Sequence, residues 1–259
     1  MLKSTSGVCG GNVVRELQSA FNLNGLKIVN ADGPDEPLLD PSIMSGKVTA
    51  YFRDIEQNFM RHCHEADAVV GCVAWLTNVS MLRMLASKEA VSIVVQKEDF
   101  LRPDVNDWTS TPTNWKVSLR IKYNRLKPFS KINTPGVEHL SFASTDGMDA
   151  IRCCGNHNKN KKQTFPRMHN KFVVFCKEDK KKRVINPPYP DVVYYEPYAV
   201  WTGSFNFSEN AARSFENVVV IEDKTIAGAY YEEWAQIMAL SEPLDWHSEW
   251  CEPEWRIGT

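Results

Sequence analysis

A chain of 259 residues, 43% hydrophobic and 24% charged, is long enough for a sizeable α/β core and too apolar to remain disordered. No apolar run reaches the ~20 residues of a membrane helix, and Met1-Leu2-Lys3-Ser4-Thr5 lacks the basic-then-apolar pattern of a secretory signal. Seven cysteines, an odd count, argue against a disulfide framework, so an intracellular, cytoplasmic protein without stable membrane association is expected.

The net charge of −2 is the sum of unlike blocks. Residues 1–115 carry 10 basic and 14 acidic groups, residues 116–183 carry 17 and 5, and residues 184–259 carry 3 and 13. The basic block is either a footprint for a polyanion or is neutralised in the fold by the acidic block that follows.

In chain order, residues 1–44 read as an N-terminal extension, with a short helix over Val13–Phe21 and a proline- and acid-rich loop over Asn30–Ser42. Val48, Phe52, Ile55, Phe59 and Cys63 recur at helical spacing and predict an amphipathic helix over 48–65. Ala68–Leu76 is a continuous apolar run that suits a strand buried on both faces. A helix over Asn78–Lys88, capped by Thr77 or Asn78, and a second buried strand over Val91–Val95 follow. That order implies a right-handed crossover between parallel strands.

Prolines interrupt 100–165, where Ser118–Tyr123 and Val137–Ala143 are candidate strands. Phe172–Phe175 and Ala199–Trp201 are strands joined by a hairpin excursion, whose tip at Lys180–Arg183 reads as a solvated charge run. Ser208–Ser214 predicts a short helix, Val218–Ile221 a buried strand, and Thr225–Leu240 a helix presenting Ile226, Tyr230, Trp234 and Ile237 on one face. Residues 241–259 form a C-terminal tail with no assigned structure.

Cys153, Cys154 and His157, with His62-Cys63-His64 upstream, lack the gap between usual zinc-ligand cysteines, so they read as partly buried thiols and surface histidines, with no metal or cofactor. Trp108, Trp115 and Tyr123 read as core residues in preference to base-stacking platforms.

Two segments carry chemistry. In Met168-His169-Asn170-Lys171-Phe172, strand alternation points His169 and Lys171 to one side and Phe172 to the other. An imidazole beside an ammonium on a buried strand repels and is costly to desolvate unless an anion arrives, and an imidazole can attack phosphorus. In Thr202-Gly203-Ser204-Phe205-Asn206, Gly203 permits close backbone approach, and Ser204 and Asn206 offer donors to phosphate oxygens. Glu216 is a candidate acceptor for the second imidazole nitrogen of His169.

His-x-Lys, then Gly-Ser-x-Asn, then Glu216-Asn217 before an apolar strand resembles the phospholipase D superfamily, most closely its small single-motif nucleases of the Nuc and Zucchini types. The resemblance covers residues 45–240, with insertions near 100–165 and 177–197. It implies an α/β fold: a mixed, largely parallel sheet flanked by helices on both faces. It further implies a metal-independent phosphodiesterase in which His169 forms a phosphohistidine and Lys171, Ser204 and Asn206 hold the phosphate. A single motif copy supplies half a site, so the resemblance implies a homodimer in which a second chain contributes the other histidine. Two positions depart from the pattern. Cys176 stands where an aspartate is expected, and the interval from Asn206 to Glu216 is one residue short.

The basic block makes DNA or RNA the expected substrate, with Lys159, Lys161, Lys162 and Arg167 as candidate backbone contacts. The same chemistry serves a phospholipid diester of the cardiolipin type, given an apolar approach to the site. Cys176 is the feature that favours an inactive binding module.

Overall fold

The computed structural model describes residues 27–28, 34, 36–37, 39–98, 101, 114–129, 140–141, 149–157, 165–181, 193–244 and 256–257. Eight strands form the central sheet: β1 (Ile43–Ser45), β2 (Val48–Tyr51), β3 (Ala68–Val73), β4 (Ala90–Gln96), β5 (Ile151–Cys154), β6 (Lys171–Glu178), β7 (Tyr195–Gly203) and β8 (Val218–Ile221). Across the sheet they lie in the order β1-β2-β8-β7-β6-β3-β4-β5. Two-residue ladders join Lys27–Ile28 to Glu36–Pro37 and Leu140–Ser141 to Arg256–Ile257.

The sheet is mixed and helices cover both faces, as expected, but it is not largely parallel. Only the pairs β3–β4 and β4–β5 are parallel, and the other five of the seven adjacencies are antiparallel. The reason is connectivity. β6 and β7, and then β7 and β8, are consecutive in the chain and neighbours in the sheet, the arrangement that antiparallel pairs adopt, whereas β3 and β4 are joined through a helix. Uniformly apolar runs do not distinguish these cases once both faces are covered.

Among the described residues four α-helices pack on the sheet: α1 (Ile55–Glu65), α2 (Val79–Ala86), α3 (Asn114–Tyr123) and α4 (Lys224–Ala239). Alternation along β3 sends Val69 and Val73 to a cluster shared with α1, α2 and α3, and Ala68, Val70 and Cys72 to one shared with α4. Asn78 caps α2, its side chain accepting from the Met81 amide at 3.0 Å.

Three expectations need correction. The segment 48–65 is not one helix: Val48–Tyr51 pairs with β8, and Asp54, at φ 49°, turns the chain into α1. Ile55, Phe59 and Cys63 do form its buried stripe. Ser118–Tyr123 belongs to α3, with Leu119 and Tyr123, four apart, facing the core. On α4 the buried stripe is Ala227, Tyr231, Trp234, Ala235 and Met238, while Ile226 is exposed. Small alanines let that helix lie close to the sheet, which a pattern of large apolar residues does not reveal. Most of Val137–Ala143 and the helix expected over Val13–Phe21 lie outside the described residues.

Candidate active site

The C-terminal ends of β3, β4, β5 and β7 and the N-terminal ends of β6 and β8 share one edge of the sheet. His169 and Lys171 stand at the entry to β6, with Lys171 opposite Val73, and Ser204 follows the end of β7, where Gly203 faces Val218. Sheet order therefore brings the two segments together although more than thirty residues separate them.

Lys171 Nζ lies 3.4 Å from His169 Nδ1 and 3.5 Å from Nε2, and donates to the His169 carbonyl at 3.1 Å. The imidazole is exposed, and the ammonium is partly buried. Ser204 donates its hydroxyl to the Glu216 carboxylate. Its Oγ also accepts from the Asn217 amide at 3.1 Å, and its own amide donates to the Asn217 carbonyl at 3.0 Å. Glu216 thus engages Ser204, not the imidazole nitrogen expected from sequence. The carboxylate leaves His169 to Lys171 and lends its charge to the ammonium. Asn206 Oδ1 is buried with no hydrogen-bond partner, a buried polar atom that the surrounding protein does not satisfy.

Gly203 makes the arrangement feasible. A Cβ there would stand 2.1 Å from the Asn217 carbonyl oxygen and 2.8 Å from Val218 Cα, both backbone atoms that cannot rotate away.

Electrostatics favour an anion. Burial, then the Lys171 and Arg167 charges, lowers the His169 pKa from its ordinary 6.5, keeping the imidazole neutral at neutral pH. Burial also lowers the Lys171 pKa, with Glu216 opposing and Arg167 reinforcing that shift. A phosphate would relieve both effects. Arg167 Nη2 lies 3.5 Å from Glu98 Oε1, in the segment leading to His169. The other candidate contacts, Lys159, Lys161 and Lys162, lie outside the described residues, as does Trp108. Trp115 is exposed, contrary to its reading as core, whereas Tyr123 is buried with its hydroxyl on the Leu76 carbonyl at 2.6 Å.

Sequence reasoning missed the groups that hold the site in place. Gln96, at the end of β4, accepts from the Met168 amide at 2.7 Å and donates to the Lys97 and Asn156 carbonyls at 3.1 and 3.0 Å. It pins the turn leading into His169. A polar residue closing the apolar run of β4 was the available signal. Ala74 donates to the Asn170 carbonyl at 2.9 Å, and Thr77 and Asn78 both donate to the Phe207 carbonyl, so one segment after β3 ties down both motif loops. Next to Gln96, Lys97 is fully buried and pairs with Glu242 at 2.6 Å. Ser241, Glu242 and Leu244 are buried, so the first residues of the tail close this edge of the sheet.

Cys176 stands at the opposite end of β6, fully buried among apolar residues that pack on α4, and its thiol is pushed far up by burial. Cys63, Cys72, Cys153, Cys154 and Cys176 are buried and form no disulfide. Cys153 Sγ lies on the Glu242 and Pro243 carbonyls at 3.6 and 3.4 Å. His157 is buried, not a surface histidine, and the His62 ring stacks on Phe175. Among the described residues there is no cluster of three metal-ligating side chains, and no helix is long and apolar enough to cross a membrane.

Residues 80–238 match the family model described as cardiolipin synthase, PLD-like domain. The chain belongs to the PLD-like family. That match spans α2 through nearly all of α4 and includes both motif segments. The PLD-like chain is 26% identical over 255 residues to an uncharacterized protein of Acanthamoeba polyphaga mimivirus, covering 92% of this chain and 78% of that one. Among solved structures it is similar to Nuc, a phospholipase D family member from Salmonella typhimurium (16% identity, 78% of this chain and 98% of that one, TM-score 0.42). It is likewise similar to NucT from Helicobacter pylori (12%, 76% and 98%, 0.45) and to phosphatidylserine synthase of Haemophilus influenzae (14%, 90% and 46%, 0.38).

Proposed function

We propose that this PLD-like protein is a metal-independent nuclease that cleaves DNA or RNA phosphodiesters through His169, in a site completed by a second copy of the chain. The observation that carries the reading is the juxtaposition of an exposed, neutral-leaning imidazole with an ammonium 3.4 Å away, at a sheet edge shared with Ser204, Asn206 and Glu216. The charge of the central block, 17 basic against 5 acidic groups, favours a polyanionic substrate.

In this mechanism Lys171 offsets the charge of the non-bridging oxygens, the side-chain NH2 of Asn206 donates to them, and the Ser204 hydroxyl joins by swinging its hydrogen from Glu216 to the phosphate. The neutral imidazole of His169 attacks phosphorus, a P–N bond forms, and the P–O bond to the leaving group breaks. The leaving oxygen takes a proton from His169 of the second copy, whose imidazolium the bound anion stabilises. That imidazole then takes a proton from water, the water oxygen attacks phosphorus, and the P–N bond breaks. Glu216 orients Ser204 and offsets the Lys171 charge.

A second reading, a phospholipid diesterase, draws on one observation. Trp75, Phe165 and Phe215 are 38%, 70% and 63% exposed on the segments that carry the site, and they offer the apolar approach a lipid requires. Incubation with single- and double-stranded nucleic acids and with cardiolipin vesicles, all in chelator, separates the two. Nucleic-acid cleavage alone upholds the nuclease, and vesicle hydrolysis alone replaces it with the lipid reading. Loss of all turnover in chelator removes the metal-independent mechanism.

A further inference from the structure

We propose that a cavity walled by the segments that flank Ser204 and Glu216 receives one nucleobase of the substrate strand, drawn out of its stack near the scissile phosphate; this rests on the nuclease reading above. The cavity has a volume of about 310 Å³, at the lower end of the ~300–1,000 Å³ typical of small-ligand sites. It is bounded by the start of α1 and by the loop between β7 and β8.

Its position ties it to the chemistry. Phe205, in its wall, sits between Ser204 and Asn206, and Ser214, also in its wall, lies two residues before Glu216. Arg53 links the cavity to the segment that carries Glu216. It lines the cavity, its guanidinium carbon stands 5.4 Å from the centroid of the exposed Phe215 ring, and Phe215 adjoins the Glu216 that engages Ser204.

The lining chemistry selects a base over a second phosphate. Two carboxylate residues, Asp54 and Glu56, share the lining with the single cation Arg53, a composition that does not select a second phosphate. The walls offer both hydrogen-bonding senses. Arg53 Nε is buried without a partner, and the amides of the first turn of α1 have no acceptor inside that helix. Glu56, an acceptor in the lining, receives the Asn78 side-chain amide at 3.0 Å. Phe205, Ala211 and Ala212 add apolar surface. A planar heterocycle whose edge carries both donors and acceptors matches such walls, and the exposed Phe215 ring under Arg53 offers a face for the neighbouring base. Extracting a base from a duplex costs unpairing as well as unstacking, so the arrangement favours single strands.

The test compares two substrates: single-stranded oligonucleotides of each base, and bis(4-nitrophenyl) phosphate, a diester with no nucleobase. Ala212→Trp fills the cavity from an exposed wall position, and Arg53→Gln removes the bridging charge while keeping a donor. In the wild type, kcat/KM differs among bases, and an abasic site beside the scissile phosphate lowers it by at least about tenfold. In Ala212→Trp the ratio of oligonucleotide to base-free kcat/KM falls by a similar factor and the base preference disappears. Arg53→Gln lowers the same ratio if Ala212→Trp does not fold. A wild type that cleaves abasic and intact strands equally, or variants that keep the ratio, overturns the subsite and leaves the nuclease standing. A wild type that hydrolyses only the base-free diester, or neither substrate, overturns the nuclease reading and the subsite with it.

Discussion

Replacing Gly203 with alanine tests whether the site depends on the close packing of β7 against β8. The new methyl carbon would sit 2.1 Å from the Asn217 carbonyl oxygen, where ordinary contact needs more than 3 Å, so the strands must part by about 1 Å. Both groups are backbone, and relief therefore displaces Asn217 and with it the two hydrogen bonds at 3.0 and 3.1 Å that lock Ser204. Overpacking of this kind costs about 1–3 kcal/mol of stability. A displacement of about 1 Å at reacting groups costs on the order of a hundredfold in rate. The assay is paired: urea unfolding for stability, and kcat on a phosphodiester at a temperature where the variant is folded. The expected result is a folded protein with a lowered urea midpoint and a loss in kcat far greater than the unfolded fraction explains. A Gly203→Ala protein with wild-type midpoint and kcat would refute the reasoning.

Three further outcomes are expected. Lys97→Met breaks the buried Lys97–Glu242 pair and lowers unfolding free energy by about 3–5 kcal/mol, part of which the double change with Glu242→Leu recovers; equal stability of Lys97→Met and wild type in urea contradicts this. Cys176→Asp, which introduces the acid that the sequence resemblance leads one to expect there, places a carboxyl in an apolar site and raises its folded pKa. A raised folded pKa means stability is retained below the unfolded value of about 4 and lost as pH rises through it, so the variant's urea midpoint, unlike the wild type's, should drop between pH 4 and 7. In the proposed mechanism His169 acts neutral, and its pKa is lowered, so the acid limb of the kcat/KM profile should lie below pH 6.5, and Arg167→Gln, removing one depressing charge, should move that limb upward; a downward or absent shift contradicts the assignment.

Much of the fold was legible because it depended on short-range patterns. Ala68–Val73 and Ala90–Gln96 declared themselves as continuous apolar runs, and Asn78 as a cap, and each depends on the residues around it. Strand direction in β6 to β8 was not legible, since it is set by which strands are neighbours. Pairing of distant residues was equally hidden: nothing near Lys97 signals Glu242, 145 positions away. At the site, residue identity could be read and partnership could not. His169, Lys171, Ser204 and Glu216 were all singled out, yet the carboxylate went to Ser204, because the β7–β8 register places position 216 beside 204. The cavity at the start of α1 was invisible for a related reason. It exists because Asp54 turns at φ 49°, inside a segment whose apolar spacing reads as uninterrupted helix.

The central claim is that His169 becomes covalently bonded to phosphorus. Wild-type protein quenched during turnover of a phosphodiester in chelator should show, by mass spectrometry of its peptides, a phosphorus adduct on the Met168–Lys171 segment. In His169→Ala that adduct and the turnover should both vanish while the fold persists. Turnover in His169→Ala within about tenfold of wild type, a loss of no more than ~1.4 kcal/mol of barrier lowering, or an adduct on another side chain, would contradict the account.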